Sequence, residues 1–265
     1  MSVDMSIVVP GIRSDRWSKL REQIIRSCNR HSCEVIFCSS KPLPNELVGL
    51  SDVKHILDHG SPARCFQHGS MAAEGEMIAL LSDDGVLFEG ALSACIDQLR
   101  AADQKDLVAM RYTEGQGFRA NMSDFVDSYW TAWHHADQRL PGVDPSWRVC
   151  MIFMMRRSQF LWLGGVDCAF EHVNMNLHDM AYRAQRAGGR VLLSPSFVAM
   201  YDWDPNRNEH NSPVIQAYHR NDLPLFHSIY GDLAIAASRP IQIEYDNWRS
   251  SPEVWQRRLS FESVS

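Results

Sequence analysis

The sequence lacks the long apolar runs of membrane proteins and the paired cysteines of zinc-binding proteins. Its apolar stretches are too short to cross a bilayer, and no basic region followed by a long apolar segment opens the chain. Seven cysteines are present, but none forms a CxxC pair. We therefore predict reduced, mostly buried thiols and no membrane segment. The expected location is the cytoplasm, or the host cytoplasm if a bacteriophage encodes the protein.

Positive charge is also scarce. The net charge of -6 and the pI near 6.0 exclude an overall basic field, so a nucleic-acid partner would have to meet a local patch. Only four of the 26 basic residues are lysine, and the others are arginine. This imbalance favours bidentate recognition of phosphate or carboxylate groups, although the base composition of the gene could produce it equally well.

The 265 residues alternate between short apolar runs and segments with helical spacing. The apolar runs predict strands over 5–9, 34–38, 53–57, 77–81, 107–110, 149–155 and 191–193. The helical spacing predicts helices over 17–28, 63–73, 90–100, 158–163 and 177–187. Such alternation indicates an α/β fold with a mostly parallel sheet and flanking helices. We predict one domain over 1–200, followed by an irregular extension over 201–265 that packs on it, because Asp, Asn, His and Pro are frequent beyond Pro195.

Two adjacent carboxylates follow the central strand. The apolar run 77–81 ends in Ser82, Asp83, Asp84 and Gly85, and ligands of open α/β sheets bind at the carboxyl ends of the strands. Carboxylate oxygens suit Mg²⁺ or Mn²⁺, which bind one or two carboxylates together with substrate phosphates. An ordinary turn is the competing interpretation, because Asp and Gly are common turn residues.

Three separated stretches carry a resemblance. The strand end Val9-Pro10-Gly11 is followed by the segment 60–85, with Arg64 and the acidic pair, and then by 163–188, with Gly164-Gly165, Asp179 and Arg183. This order and spacing resembles the family 2 glycosyltransferases of the GT-A fold over roughly residues 5 to 200. The resemblance implies a GT-A-type Rossmann-like sheet. It also implies a metal-dependent, inverting hexosyl or pentosyl transfer from a nucleotide-sugar donor to an acceptor hydroxyl.

The resemblance assigns residues to the donor. Pro10, Gly11, Arg13 and Asp83 would lie near the nucleotide of the donor, and Arg64 near the base or ribose. Asp83 and Asp84 would hold Mg²⁺ or Mn²⁺. In the run 202–210, which follows the last predicted strand, His210 would be an added metal or phosphate ligand; a surface cation at Arg64 and a loop histidine at His210 are the simpler interpretations.

The sequence departs from the family pattern at three places. Leu81 replaces one aspartate of the acidic motif. Ser39 and Ser40 occupy the position at which members of the family usually have an acidic residue that binds uracil. The family's Glu-Asp base motif falls on Asn176 and Leu177. The base must then be another carboxylate, and we expect Asp179, whose helix matches that of the family, or Glu171. An inactive nucleotide-sugar or nucleic-acid binding module and a nucleotidyltransferase remain alternatives.

The sequence allows two classes of acceptor. The C-terminal half is rich in arginine and tryptophan, with Arg156, Arg157, Trp203, Trp248, Trp255, Arg257 and Arg258. Such residues can stack on and follow a nucleic acid as well as a saccharide. The chain also looks somewhat like glycosyltransferases carried by bacteriophages, some of which modify hydroxymethylated DNA bases. A modified DNA base and a saccharide are therefore both candidate acceptors.

Overall fold

A computed structural model describes residues 3–115, 148–202 and 212–258. These residues form eight strands, which in chain order are β1 (Met5–Val9), β2 (Cys33–Ser39), β3 (Val53–Leu57), β4 (Met77–Leu80), β5 (Gly85–Leu87), β6 (Leu107–Gly115), β7 (Phe153–Arg156) and β8 (Val191–Asp202). Every residue of β1 and β4 is buried. Strands covered on both faces read as unbroken apolar runs, which is why the sequence revealed them.

The α-helices of the described residues are α1 (Trp17–Ser27), α2 (Pro62–Met71), α3 (Ala91–Ala101), α4 (Arg157–Trp162), α5 (Val173–Arg186), α6 (Ser212–Ala217), α7 (Leu223–Tyr230) and α8 (Leu233–Ser238). Local sequence fixes several of their starts. The side chain of Ser61 accepts a hydrogen bond from the backbone N–H of Arg64, and Pro62 opens the first turn of α2. Both features are typical of helix N-termini.

The strands form one mixed sheet in the order β3-β2-β1-β4-β7-β6-β8-β5. The predicted parallel half is confirmed, since β3, β2, β1 and β4 run parallel to one another. On the other half, β7 runs antiparallel to both β4 and β6, and β5 antiparallel to β8, while β6 and β8 are parallel. The fold is the predicted α/β sheet with flanking helices, and its second half is more mixed than the alternation suggested.

The region after residue 193 contains more regular structure than its composition indicates. Strand β8 continues through Pro195 to Asp202, with a register shift opposite Arg111. The hydroxyl of Ser194 accepts the backbone N–H of Arg111 at 2.9 Å, so a side chain replaces a ladder bond next to the proline. Because proline has no N–H to donate to a ladder, it is tolerated inside a sheet at irregular positions such as this one.

Short helices follow where the composition predicted an irregular extension. Pro224 lies in the first turn of α7, and Asp232 caps α8 by accepting the backbone N–H groups of Ala234 and Ile235. Proline and aspartate break helix interiors but favour helix starts, so their abundance concealed short helices. Helices α7 and α8 pack on α5 through a small apolar cluster formed by Val149, Phe170, Met175, Phe226, Tyr230 and Ala236.

Candidate active site

The carboxyl ends of β1 and β4 meet at the point where the strand order reverses. From β1 the chain proceeds through α1 to β2 on one side, and after β3 it returns through α2 to β4 on the other side. Ligands of open α/β sheets bind in the crevice at such a switch point. The loop after β1 contributes Pro10, Gly11 and Arg13 to this crevice, and the turn after β4 contributes Asp83 and Asp84.

Asp83 joins the two loops. Its Oδ2 accepts the backbone N–H of Arg13 at 2.6 Å and the indole Nε1 of Trp17 at 3.3 Å, and its Oδ1 accepts Nη1 of Arg13 at 2.6 Å. The Asp83 side chain is 2% exposed. Gly11 permits this contact, because a Cβ at that position would lie 2.3 Å from Oδ2 of Asp83. The sequence-predicted donor residues Gly11, Arg13 and Asp83 are thus in direct contact.

Asp84 is the more accessible carboxylate of the pair. Its Oδ2 lies 3.6 Å from Nη2 of Arg13, its Oδ1 accepts the hydroxyl of Ser82, and its side chain is 17% exposed. Burial raises the pKa of Asp84 and the neighbouring Asp83 raises it further, while Arg13 acts in the opposite direction. Burial alone would lower the pKa of Arg13, but Asp83 and Asp84 raise it, so this guanidinium stays charged.

The acidic pair fits a divalent ion with unequal roles for its members. Asp83 is buried, and its oxygens already accept two hydrogen bonds from Arg13 and one from Trp17. Asp84 has oxygen lone pairs available at the crevice. Mg²⁺ and Mn²⁺ are commonly held by one or two carboxylates and by substrate phosphates. Asp84 is therefore the residue that can bind an ion directly, whereas Asp83 positions Arg13 beside it.

A second polar cluster lies at the end of β3. Asp58 accepts Nε of Arg64 at 3.0 Å with each of its oxygens and lies 2.8 Å from Nδ1 of His68. Burial alone would raise the pKa of Asp58, but hydrogen bonds from His68 and Arg64 lower it. Arg64 is 3% exposed, and its Nη1 also donates to the carbonyl of Ser251 at 2.6 Å and to that of Trp248.

The same cluster contains the one set of three or more His, Cys, Asp or Glu side chains among the described residues whose ligand atoms lie close enough to share a metal ion. The ligand atoms of Cys38, Asp58 and His68 lie within 4.8 Å of one another. However, Arg64 already occupies both oxygens of Asp58. A hydrogen bond with Cys65, and then burial, raise the pKa of the Cys38 thiol, and metals bind thiolates rather than thiols. The arrangement suits a hydrogen-bonded cluster better than a metal centre.

Asp179 lies at the centre of a buried network on α5. Its side chain has no exposed surface and accepts Nε of Arg183 at 2.8 Å, Nε of Arg239 at 2.9 Å and the hydroxyl of Tyr230 at 2.6 Å. Burial alone would raise the pKa of Asp179, but Arg183 and Arg239 lower it. A general base needs access to the acceptor and a pKa close to the working pH. This environment favours a structural role for Asp179.

Arg183 connects that network to the Gly164-Gly165 turn. Its Nη1 donates to the carbonyl of Leu163 at 2.7 Å, and its Nη2 to that of Gly165 at 2.6 Å. Both glycines have positive φ, and a Cβ on Gly165 would lie 2.1 Å from Oε1 of Gln67. Gly165 thus allows a close approach of this turn to Gln67 on α2.

Glu171 occupies a different position, in the loop before α5. Its backbone N–H donates to Oδ1 of Asp222 at 2.9 Å, its carbonyl accepts the N–H of Ala63 at the start of α2, and its carboxylate pairs with Arg257. The side chain is 23% exposed. Burial raises the pKa of Asp222 to about 6. Of the two predicted base candidates, Glu171 is the carboxylate that retains access to solvent.

The sequence analysis also named Asn176, Leu177 and His210. Asn176 and Leu177, at the position of the family's base motif, are fully buried within α5. His210 lies outside the described residues. The sequence analysis missed Asp58 and His68, although Asp58 follows the end of β3 as the acidic pair follows β4, and it named Trp248 only as a residue that could stack on the acceptor.

Comparison with known proteins shows the fold. The chain superposes on GalNAc-T7 in complex with UDP, GalNAc and Mn²⁺ with a TM-score of 0.59 and 14% identity, covering 98% of this chain and 55% of that one. It superposes on S. aureus TarS 1–349 in complex with UDP with a TM-score of 0.51 and 11% identity, covering 98% of this chain and 90% of that one. The chain has a GT-A glycosyltransferase fold. It spans about half the length of the GalNAc-T7 chain.

Other comparisons add no closer relationship, since no family model and no curated protein matches the sequence. Within the GT-A fold, the switch-point crevice of this chain contains the acidic pair and Arg13 described above.

No helix of the described residues has the length and apolar character needed to cross a membrane.

Proposed function

We propose that this protein is a divalent-metal-dependent, inverting glycosyltransferase that moves a sugar from a nucleoside diphosphate donor to an acceptor hydroxyl. The observation that carries the proposal is the meeting of Arg13, Asp83 and Asp84 at the switch point of a GT-A fold. The ligands of the two similar structures, UDP in both and GalNAc and Mn²⁺ in one, support a nucleotide-sugar donor.

The crevice residues have separate roles toward the donor. Asp84 would hold Mn²⁺ or Mg²⁺, which supplies neutralisation of the diphosphate leaving group when it is bound. Arg13 carries a fixed positive charge beside the same position and can form bidentate hydrogen bonds to phosphate oxygens. Asp83 holds the backbone and the side chain of Arg13 in place, and Gly11 leaves room for that contact.

Glu171 is the base that we propose for the acceptor hydroxyl. Inverting transfer needs one carboxylate to accept the acceptor proton while the diphosphate departs from the opposite face of the sugar. The carboxylate of Glu171 is partly exposed and pairs with a single arginine in the described contacts, whereas Asp179 is enclosed by Arg183 and Arg239. The network of Asp222 with the backbone of Glu171 and His172 holds this loop.

The residues that suggested a nucleic-acid acceptor are largely used inside the protein. Arg156 donates to the carbonyls of Leu99, Ala102 and Asp103, and Trp248 stacks on His68. Arg258 donates to the hydroxyl of Ser40. These contacts weaken the argument for a DNA base as acceptor, because the side chains that would stack on it already have partners in the protein. A hydroxymethylated base is retained as the second acceptor class in the assay below.

A transfer assay tests the proposal. The protein is incubated with Mn²⁺, a panel of nucleotide sugars and two acceptor sets, namely simple saccharides and DNA containing hydroxymethylcytosine, and the products are identified by mass spectrometry. We expect transfer that requires the metal and is abolished in Asp84→Asn and reduced by orders of magnitude in Glu171→Ala. Product formation by Glu171→Ala at the wild-type rate would exclude Glu171 as the base. Nucleotide-diphosphate binding without turnover on any acceptor would instead support a binding module.

A further inference from the structure

The segment 243–258, here called the C-terminal strap, lies along the carboxyl ends of β2 and β3. Two backbone hydrogen bonds join the strap to the rest of the chain. The N–H of Ile243 donates to the carbonyl of Leu163, and the N–H of Trp255 donates to the carbonyl of His59. At its far end, Nη1 of Arg258 donates to the hydroxyl of Ser40, just beyond β2, at 2.8 Å. The strap therefore covers the β2 and β3 side of the crevice whose centre is the Arg13–Asp83 contact.

Trp248 is the central contact of the strap. Its indole stacks face to face on the imidazole of His68, with ring centroids 3.9 Å apart and planes 7° from parallel. The guanidinium of Arg64 lies 5.0 Å from the centre of the same indole ring. Arg64 also donates to the backbone carbonyls of Trp248 and Ser251. A planar aromatic ring and carbonyl acceptors are together held by one imidazole and one guanidinium.

A nucleobase presents the same chemistry. It has a planar π face that stacks on aromatic side chains and on arginine, and its edge carries carbonyl acceptors for guanidinium donors. A nucleotide whose diphosphate lies at Arg13 and Asp84 must extend along the sheet edge. The parallel strands β2 and β3 present their carboxyl ends on one side of that point, whereas β7 on the other side runs antiparallel.

The resemblance already places Arg64 near the base or ribose of the donor. We propose that Trp248, stacked on His68 and beside Arg64, occupies this position as a surrogate base until a nucleotide displaces the strap. The inference rests on the proposed nucleotide-sugar function and adds to it a competition between ligand and chain. In this account Arg64 and His68 exchange one aromatic partner for another, so their charge and hydrogen bonds remain satisfied in both states.

The strap has the features of a segment that can open. The residues Glu244, Tyr245, Arg249 and Ser250 are exposed, as are Glu253 and Val254. The indole N–H of Trp255 is buried and has no hydrogen-bond partner among the described residues, and a buried unpaired donor is a cost of the closed state. The strap is attached mainly through hydrogen bonds, such as those from Gln67 to the carbonyl of Tyr245 and from Asn247 to the carbonyl of Val166, and Trp255 is its one large buried apolar side chain. A segment held by few apolar contacts opens at a lower free-energy cost than the core elements.

Calorimetric titration of the full chain with UDP and Mn²⁺ tests the competition. A competitor that is closed in about nine of ten molecules weakens the apparent affinity about tenfold, so Trp248→Ala should lower the Kd for UDP by about that factor. Asn247→Ala should lower it as well, because Asn247 joins the strap to the backbone of Val166 and Cys168 and contacts neither Arg64 nor His68 in the described bonds. Trp162→Ala, an exposed tryptophan elsewhere, is the matched control and should leave the Kd unchanged.

Hydrogen exchange gives the second measurement. Saturating UDP with Mn²⁺ should increase exchange at the amides of Ile243 and Trp255 in the wild-type protein, because the strap leaves its place. An unchanged or higher Kd in both Trp248→Ala and Asn247→Ala, or increased protection of these amides, would show that the strap completes the site and would overturn the inference alone. No binding of UDP, ADP, GDP or CDP by the wild type or by either variant would contradict the proposed donor function, and the inference with it.

Discussion

Replacing Asp179 by alanine should destabilise the protein far more than it changes the chemistry per folded molecule. The substitution removes the carboxylate partner of Arg183, which has no exposed surface, and of Arg239, and it also leaves the hydroxyl of Tyr230 without its acceptor. Removing one partner of a buried ion pair costs about 3–5 kcal/mol, because the remaining charge stays buried. For a domain of this size, that corresponds to a fall in Tm of about 6–20 °C.

Thermal and urea unfolding of Asp179→Ala measure this directly, and Asp97→Ala is the matched control. Asp97 also pairs with an arginine, but its side chain is 44% exposed, and exposed pairs contribute about 0–1 kcal/mol. We expect the control to retain its Tm within a few degrees. If Asp179→Ala kept the wild-type Tm and yet lost transfer by orders of magnitude, Asp179 would be a catalytic group and the structural reasoning would be refuted.

Two further predictions concern the crevice and the pH dependence of stability. Gly11→Ala should lower the Mn²⁺-dependent affinity for UDP at least about tenfold in calorimetry, because the added Cβ would displace Asp83 and thereby Arg13. Ser14→Ala is the control and should keep the wild-type Kd. An unchanged Kd in Gly11→Ala would count against the importance of this contact. Burial lowers the pKa of His178 to about 3. The unfolded chain therefore takes up the proton first as the pH falls below 6.5, and the contribution of His178 to stability should drop by about 1.6 kcal/mol between pH 6.5 and 5. Urea unfolding at both pH values checks this, and His178→Phe should show a smaller drop.

The parallel half of the fold could be predicted from the sequence because burial on both faces leaves an unbroken apolar run. Strands β1 and β3 were predicted with their observed bounds, and β2 and β4 to within one residue at either end. Strand β8 was predicted only to residue 193 because Pro195 reads as a strand end. The hydroxyl of Ser194, which replaces the missing ladder bond, is a tertiary contact that the local sequence does not reveal.

The candidate site was predictable where its chemistry lies next to strand ends. Asp83 and Asp84 follow β4, where the apolar run predicted a ligand-binding strand end, whereas Arg13, after β1, was placed near the nucleotide by the resemblance. The environments of Arg64 and Asp179 depend on residues far along the chain. Trp248 and Ser251 contact Arg64, and Tyr230 and Arg239 contact Asp179, across separations of 51 to 187 residues. No local pattern indicates such partners, which is why their burial was not foreseen.

The most direct test of the central claim is the metal dependence of UDP binding in the wild type and in Asp84→Asn. If Asp84 holds a divalent ion on the donor diphosphate, calorimetry should show UDP binding by the wild type with Mn²⁺, at least about tenfold weaker binding after chelation, and equally weak binding by Asp84→Asn with or without the metal. Both proteins should have the same Tm in the absence of ligands. Equal UDP affinity of the two proteins in Mn²⁺, or wild-type affinity that is unaffected by chelation, would contradict the account.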